Sequence, residues 1–275
     1  MSTISLFRMT APQINRESLQ HAAEGLRLGD KVEVSADAIA VHDKDRVLVR
    51  AGACAKFAGV LLYVNHRGAL GAIHEKPVEP ERAGRWLGEF LNRHSLRPGK
   101  VDDRAKLEAL PWSRVTDAVI FDGKERKRVP ARTDAGVRLR LNGLAVSGPR
   151  TRIHAVFGND ELPLMLHVAV WERLEHYADA ELVRSHDVVA TLERSIRGRR
   201  DCNLTIRIKD IRLVYAASEE FHGSPDLLAP YYLVELQSPY RASKGDGDQG
   251  PLQLLKIPAW RFATQNDWPA PTEPD

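Results

Sequence analysis

The sequence predicts an α+β chain of tandem units, each a single helix followed by several antiparallel strands (αβββ-type repeats). Two observations carry this expectation. Three stretches carry apolar residues at helical spacing, and each is followed by alternating or short apolar runs broken by Gly, Asn and Asp, in the order αβββ, αββββ, αβββ. The expected boundaries are 1–76, 77–180 and 181–265, with a Pro- and acid-rich tail at 266–275. A chain of 275 residues is long enough to bury a core without staples.

In the first unit Leu19, Ala22, Ala23 and Leu26 fall at i, i+3, i+4 and i+7, with Asn15 placed to cap the helix and Gly29 to stop it. The runs VEVSADAIAVHD, RVLVRAGA and GVLLYVNH follow as strands, with HDKDR (42–46) as a hairpin turn. The second helix shows a stripe of Ala83, Trp86, Leu87, Phe90 and Leu91, with Pro80 in its first turn and Pro98-Gly99 after it. Strand-like runs VTDAVIFDG, VRLRLNGLAVSG, TRIHAVFGN and LPLMLHVAVWERL come next, the third and fourth joined by a turn at GNDE (158–161). Within VRLRLNG, Val137, Leu139 and Leu141 point one way and Arg138 and Arg140 the other, so one face of that sheet is wet. The third helix has Ser185 as its N-cap and buries Val188 or Val189, Leu192 and Ile196. Three strands, LTIRIKDIRLVYAA, APYYLVELQSPY and LQLLKIPAWRFA, complete the chain. Pro258 places the last at a sheet margin, with Ile257, Ala259 and Arg261 on one face. Trp260 and Phe262 fall on the other face, expected against the helix 188–196.

Charge and cysteine usage narrow the function. Forty basic and 37 acidic side chains leave a net charge of +3, too balanced for a dedicated nucleic-acid binder. The clusters GKERKR (123–128) and RSIRGRR (194–200) read as exposed connections. Cys54 and Cys202 stand far apart and outside any metal spacing, which predicts a reducing, cytoplasmic setting and neither disulfide nor zinc. No window is long and apolar enough for a membrane span, so no membrane partner is expected. KGDGDQG (244–250) begins like a calcium loop, yet Gly250, Pro251 and Ile257 stand where that loop needs ligand, Gly and Glu. No nucleotide, hydrolase or metalloprotease signature occurs, and neither cofactor nor metal is expected.

One stretch gathers acid-base groups with an aromatic: LMLHVAVWERLEHY (164–177). On a strand, His167, Ala169 and Trp171 share a face, opposite Leu166, Val168 and Val170. His167 and Glu172 are the candidate proton-transfer residues, and Trp171, Tyr215, Tyr232 and Trp260 the candidate lining of a substrate pocket. A structural His satisfied by backbone is the plainer reading of His167.

From Gly143 onward the chain resembles the PepSY-like and YycI-like modules of bacterial proteins. The resemblance rests on Gly143, Gly148, Pro149, Phe157, Gly158, Tyr215, Pro230, Tyr232, Pro258, Ala259 and Phe262 in the runs GLAVSGPR, IHAVFGN, IRLVYAA, APYYLVEL and LKIPAWRF. It covers the second half of the chain, and the first half by element order alone. It implies helix-plus-sheet repeats and a regulatory partner role. Two functions are therefore expected of the chain. The first is a non-catalytic regulatory module that binds a protein or peptide in the groove between sheet and helix or along an exposed strand edge. The alternative is a cyclase or isomerase acting on a small apolar metabolite.

Overall fold

Strand residues outnumber helical ones about three to one among those that the computed structural model describes. It describes residues 2–10, 16–29, 32–34, 38–43, 45–51, 60–65, 73, 76–122, 125–148, 151–197, 207–217, 227–237 and 252–261. Of these, 61% lie in strands and 19% in helices. Asn15, Cys54, Cys202, Pro149, the loop 244–250, Phe262 and the tail 266–275 lie outside the described residues, as does the side chain of Ile196.

The chain opens with β1 (Thr3–Thr10), α1 (Arg16–Gly25), β2 (Val32–Val34), β3 (Ala38–Asp43), β4 (Arg46–Ala51) and β5 (Val60–Asn65). Next come α2 (Pro80–Arg93), β6 (Lys100–Val101), β7 (Leu107–Asp122), β8 (Glu125–Leu141) and β9 (Leu144–Ser147). They are followed by β10 (Ile153–Phe157), β11 (Pro163–Ala169), β12 (Arg173–Leu182) and α3 (Ser185–Arg197). The last strands are β13 (Arg207–Ala217), β14 (Leu227–Gln237), β15 (Leu252–Pro258) and β16 (Trp260–Arg261).

The expected α+β repeat is therefore incorrect: the protein is mostly β, and its helices do not each own a sheet. The pairing shows why. Strand β5 joins β11, a hundred residues on, with Leu166 opposite Tyr63 and His167 opposite Leu62. Strand β1, which the alternation pattern does not reveal, pairs with β14 through Phe7 and Leu228. Backbone hydrogen bonding thus runs across the expected unit boundaries, and element order alone carries no information about it.

The chain divides into two compact units, Met9–Glu175 and Met1–Arg8 with His176–Asp275. In the larger unit the strands follow the order β2, β3, β4, β5, β11, β10, β8, all antiparallel. One edge of β8 carries β7 along its whole length, and the other carries β10 and the short β9. Both helices cover a single face. Leu19, Ala22 and Ala23 of α1 and Ala83, Leu87, Phe90 and Leu91 of α2 pack on alternate strand residues, among them Val41, Leu48, Tyr63, Ala155, Leu166 and Val168. Each buried Leu or Val among them contributes about 2 kcal/mol.

Helix ends depart from the expected stops for a geometric reason. In α1 the left-handed position is taken by Arg27 (φ 54°), and Leu28 N–H donates to the Ala23 carbonyl at 2.9 Å, closing the helix before Gly29. In α2, Ser95 (φ 52°) does the same, with Leu96 N–H on the Leu91 carbonyl at 2.9 Å.

The smaller unit buries apolar side chains on both faces of its sheet. Strand β14 pairs with β13 along one edge and with β1 and then β15 along the other. Under α3, Val188 and Leu192 meet Tyr232, Val234 and Ala259. On the opposite face Leu6, Ala180, Val214, Ala216 and Tyr231 form a second cluster. Adjacent residues Tyr231 and Tyr232 thus feed different cores, as strand alternation requires.

The segment 256–261 differs from the expected strand. Strand β15 ends at Pro258, and Ala259 bridges two ladders, its N–H donating to Pro230 at 3.0 Å and its carbonyl accepting from Val183 at 2.9 Å. Ile257 and Ala259 face α3, whereas Trp260 packs on the cluster of Leu6 and Tyr231. The face expected to carry the aromatic against the helix carries the small and aliphatic residues instead.

Candidate functional site

Strand β7 is 16 residues long, about 50 Å at roughly 3.3 Å per residue. Its inner edge pairs with β8 from Leu107–Leu141 to Asp122–Glu125. Among the described residues no backbone group pairs with its outer edge. Pro111 sits within it, a residue that has no N–H to give and so suits a strand edge. The strand also carries an unusual load of uncovered apolar surface: Leu110 is 43% exposed, Val115 39%, Val119 37% and Phe121 75%. Val115, Val119 and Phe121 share one face by alternation. Arg128 lies directly opposite Val119 and Arg126 opposite Phe121.

The root of the same hairpin builds a polar cluster on the face away from α1 and α2. Trp112 lies directly opposite Gly136. A Cβ on Gly136 would stand 2.8 Å from two indole carbons, so only glycine lets the ring lie across the strand. The ring thereby reaches His154, stacking at 5.9 Å between centroids and 19° between planes. The guanidinium carbons of Arg114 and Arg138 stand 5.6 and 5.5 Å from the ring centroid.

Beneath this stack the polar groups are tightly engaged. His154 Nε2 is 3.0 Å from Asp134 Oδ1, and Thr116 Oγ1 donates to Asp134 Oδ2. Arg132 Nε stands 3.6 Å from the same carboxylate. On the other side Arg152 Nη2 approaches His154 Nδ1 at 3.4 Å. Arginine can only donate, so Nδ1 accepts and Nε2 carries the proton toward Asp134. Burial alone would push the Asp134 carboxyl up, but the hydrogen bonds from His154 and Thr116 and the charge of Arg132 outweigh it and hold it at about 2. His154 is left with no unoccupied ring nitrogen to take a proton from a substrate. Across the next ladder His167 lies opposite His154. Burial, with Arg152 and His154 nearby, lowers its pKa and so favours its neutral form.

The residues singled out from sequence fall as follows. His167 lies on β11 with its ring on the polar face, while Leu166 and Val168 are in the core. Trp171 is buried, its carbonyl accepting from Gly99 N–H at 2.9 Å. Glu172 has an exposed side chain, and its backbone is the anchor: its N–H donates to Thr10 at 2.8 Å and its carbonyl accepts from Lys100 at 3.0 Å. These three belong to the larger unit. Tyr215, Tyr232 and Trp260 belong to the smaller one. Tyr215 and Tyr232 are buried, and their hydroxyls donate to the carbonyls of Ser5 at 2.9 Å and Val183 at 2.8 Å.

A cavity of about 350 Å³ in the smaller unit is lined by Ser2, Glu181, Leu182, Val183, Arg184, Asp187 and Arg261, without any of these aromatics. There Arg261 grips Glu181 with two bonds of 2.9 and 3.0 Å. Among the described residues no group of His, Cys, Asp and Glu is gathered to hold a metal ion. None of their helices is long and apolar enough to cross a membrane.

The sequence reading did not find Trp112, Asp134 and His154, which come from three strands. The one available signal was the exposed face implied by Arg138 and Arg140, and both are exposed opposite buried Leu139 and Leu141.

No protein-family model matches the chain. No curated protein matches it either. Among solved structures, an uncharacterized protein from Eubacterium rectale is similar, with a TM-score of 0.55 at 9% identity over 94% of this chain and 84% of that one. At that identity the likeness concerns the fold.

Proposed function

We propose that this chain is a non-catalytic binding protein that takes an extended protein or peptide segment along the outer edge of β7, in the cytoplasm. The observation that carries the reading is that 16-residue edge, unpaired among the described residues, with its exposed Leu110, Val115, Val119 and Phe121. A row of free N–H and C=O groups is a template for an added strand, and proteins that do not use such an edge cover, shorten or charge it. The alternative of a cyclase or isomerase has less support. His154 is held at both nitrogens, and the Tyr215 and Tyr232 hydroxyls serve backbone carbonyls. The two candidate proton-transfer residues also diverge, His167 lying in the sheet and Glu172 pointing to solvent. A reducing compartment agrees with two cysteines in no paired spacing.

Selection from a random-peptide display library followed by hydrogen exchange tests this. Bound peptides should protect β7 amides, and Val119→Lys should weaken binding about tenfold or more by placing a charge on the docking face. Turnover of a small metabolite by the purified protein, lost in His167→Ala, would overturn the reading.

A further inference from the structure

We infer that the segment docking on β7 is β7 of a second copy of this chain, the two strands running antiparallel about a two-fold axis at Ala118. This rests on the edge reading above and names the occupant of that edge.

Half of the hairpin has no other strand to lean on. Strand β8 pairs with β10 over 133–137 and with β9 through Arg140 and Leu141, whereas among the described residues 125–132 pairs with β7 alone. A two-stranded ribbon is marginal in water, and stability needs at least a third strand. Two such ribbons joined edge to edge make a four-stranded sheet in the order β8, β7, β7, β8, which pairs both open edges at once.

The strand is complementary to itself. A two-fold axis perpendicular to the sheet keeps the same face up in both copies, so odd-numbered residues of β7 meet odd and even meet even. The bulge in the hairpin puts its extra residue, Ala131, in β8, which leaves the alternation of β7 unbroken. An axis at Ala118 sets Phe121 opposite Val115 of the second copy, so the most exposed of the large apolar side chains gains an apolar neighbour, twice by symmetry. It also sets Val119 opposite Asp117 of the second copy. Arg128 lies beside Val119 on the same face, so the row across the interface reads Arg128, Val119, Asp117. Two strand spacings are about 10 Å, a gap that an Arg and an Asp side chain close together over the valine. Among the described residues neither Asp117 nor Arg128 has another ion-pair partner. On the opposite face Ala118 meets Ala118, with half-buried Val129 outside each, and Ile120 meets Thr116. Other axes fit less well. At Asp117 two carboxylates would stand opposite each other, and at Val119 the carboxylate would face Phe121. At Val115 or Thr116 it would face Ser113 or Val115, with no cation beyond.

Light scattering across a protein concentration series, joined to cysteine cross-linking, tests the proposal. The unaltered protein should reach the mass of a dimer. Asp117→Arg and Arg128→Asp each bring like charges together at two symmetric places, and each should weaken association about tenfold or more. Mixed in equal amounts, the two variants should associate as tightly as the unaltered protein, because the mixed pair restores both contacts. Ala118→Cys places two sulfurs on the axis, where directly opposed Cα atoms lie about 4.5 to 5.5 Å apart, within the range of a disulfide. Mild oxidation should link this variant into a dimer on a non-reducing gel, above the level of the unaltered protein, and Val115→Cys should not link. Asp117 and Arg128 are exposed and Ala118 half-buried, so folding is preserved, and far-ultraviolet circular dichroism verifies it. A monomer at every concentration, with library-selected peptides protecting β7, overturns the inference and leaves the edge reading intact. A monomer for which no peptide is selected overturns both. A dimer that neither charge reversal weakens, whose reversed variants do not recover on mixing, or that links through Val115→Cys in place of Ala118→Cys also overturns the inference.

Discussion

The strands of the two units use their faces differently. In the smaller unit both faces are spent on cores, Val188 and Leu192 with Tyr232 on one and Leu6 and Val214 with Tyr231 on the other. In the larger unit the helices occupy one face, and the other carries Trp112, Arg138, His154 and His167. Polar groups also play different parts. In the smaller unit the hydroxyls of Tyr215 and Tyr232 each donate to a backbone carbonyl, whereas in the larger unit Asp134, His154 and the exposed Arg152 form a chain of side chains. The difference teaches where to look for binding: on the face that no helix covers.

Four outcomes break or sharpen this contrast. The largest effect belongs to the scaffold of the larger unit. A Cβ on Gly99 would lie 1.6 Å from the Glu172 carbonyl oxygen, so Gly99→Ala must displace β6 from β12. It should cost about 4 kcal/mol or more in urea unfolding. Next is Asp134→Ala, which leaves buried His154 facing an empty position and should cost about 3 kcal/mol. It should also loosen Trp112 and lower peptide affinity, and a variant that loses stability with unchanged affinity would make the cluster purely structural.

In the smaller unit, Tyr232→Phe removes one buried hydrogen bond and should cost about 1 kcal/mol with peptide affinity unchanged. An altered affinity would break the division between a folding sheet and a binding sheet.

The smallest effect is on pH dependence. Burial, with His21 and Arg93 nearby, lowers the pKa of His94, and burial likewise lowers that of His167. The unfolded chain then binds protons more readily than the folded one. Their stability contribution is complete above the ordinary value of 6.5 and declines as pH falls below it. Asp134 acts lower: its contribution is present above the ordinary carboxyl value and disappears as pH falls through about 2. Unfolding midpoints measured downward from neutral pH should thus begin to fall near 6.5, and His94→Leu should flatten that slope.

Local features were legible wherever side-chain periodicity reports burial. The stripe Ala83, Leu87, Phe90 and Leu91 is buried along α2, and Pro80 opens that helix. Leu139 and Leu141 point inward while Arg138 and Arg140 point out. The turns at 42–46 and 158–161 join β3 to β4 and β10 to β11. Strands β1 and β12 were not legible. Leu6 and Phe7 are both buried although adjacent, and RLEHYADAEL alternates charge with apolar residues too irregularly to register as a strand.

By itself the sequence determined the three helices, most of the strands and the wet face of β8, because each depends on neighbours two to four residues apart. Only the tertiary structure decided that β5 lies beside β11, that one edge of β7 is unpaired among the described residues, and that Trp112, Asp134 and His154 meet across three strands. Those contacts depend on which backbone edges pair. Every strand offers the same N–H and C=O groups, so the choice among partners is set by the collective burial of the whole sheet and not by any local run of residues.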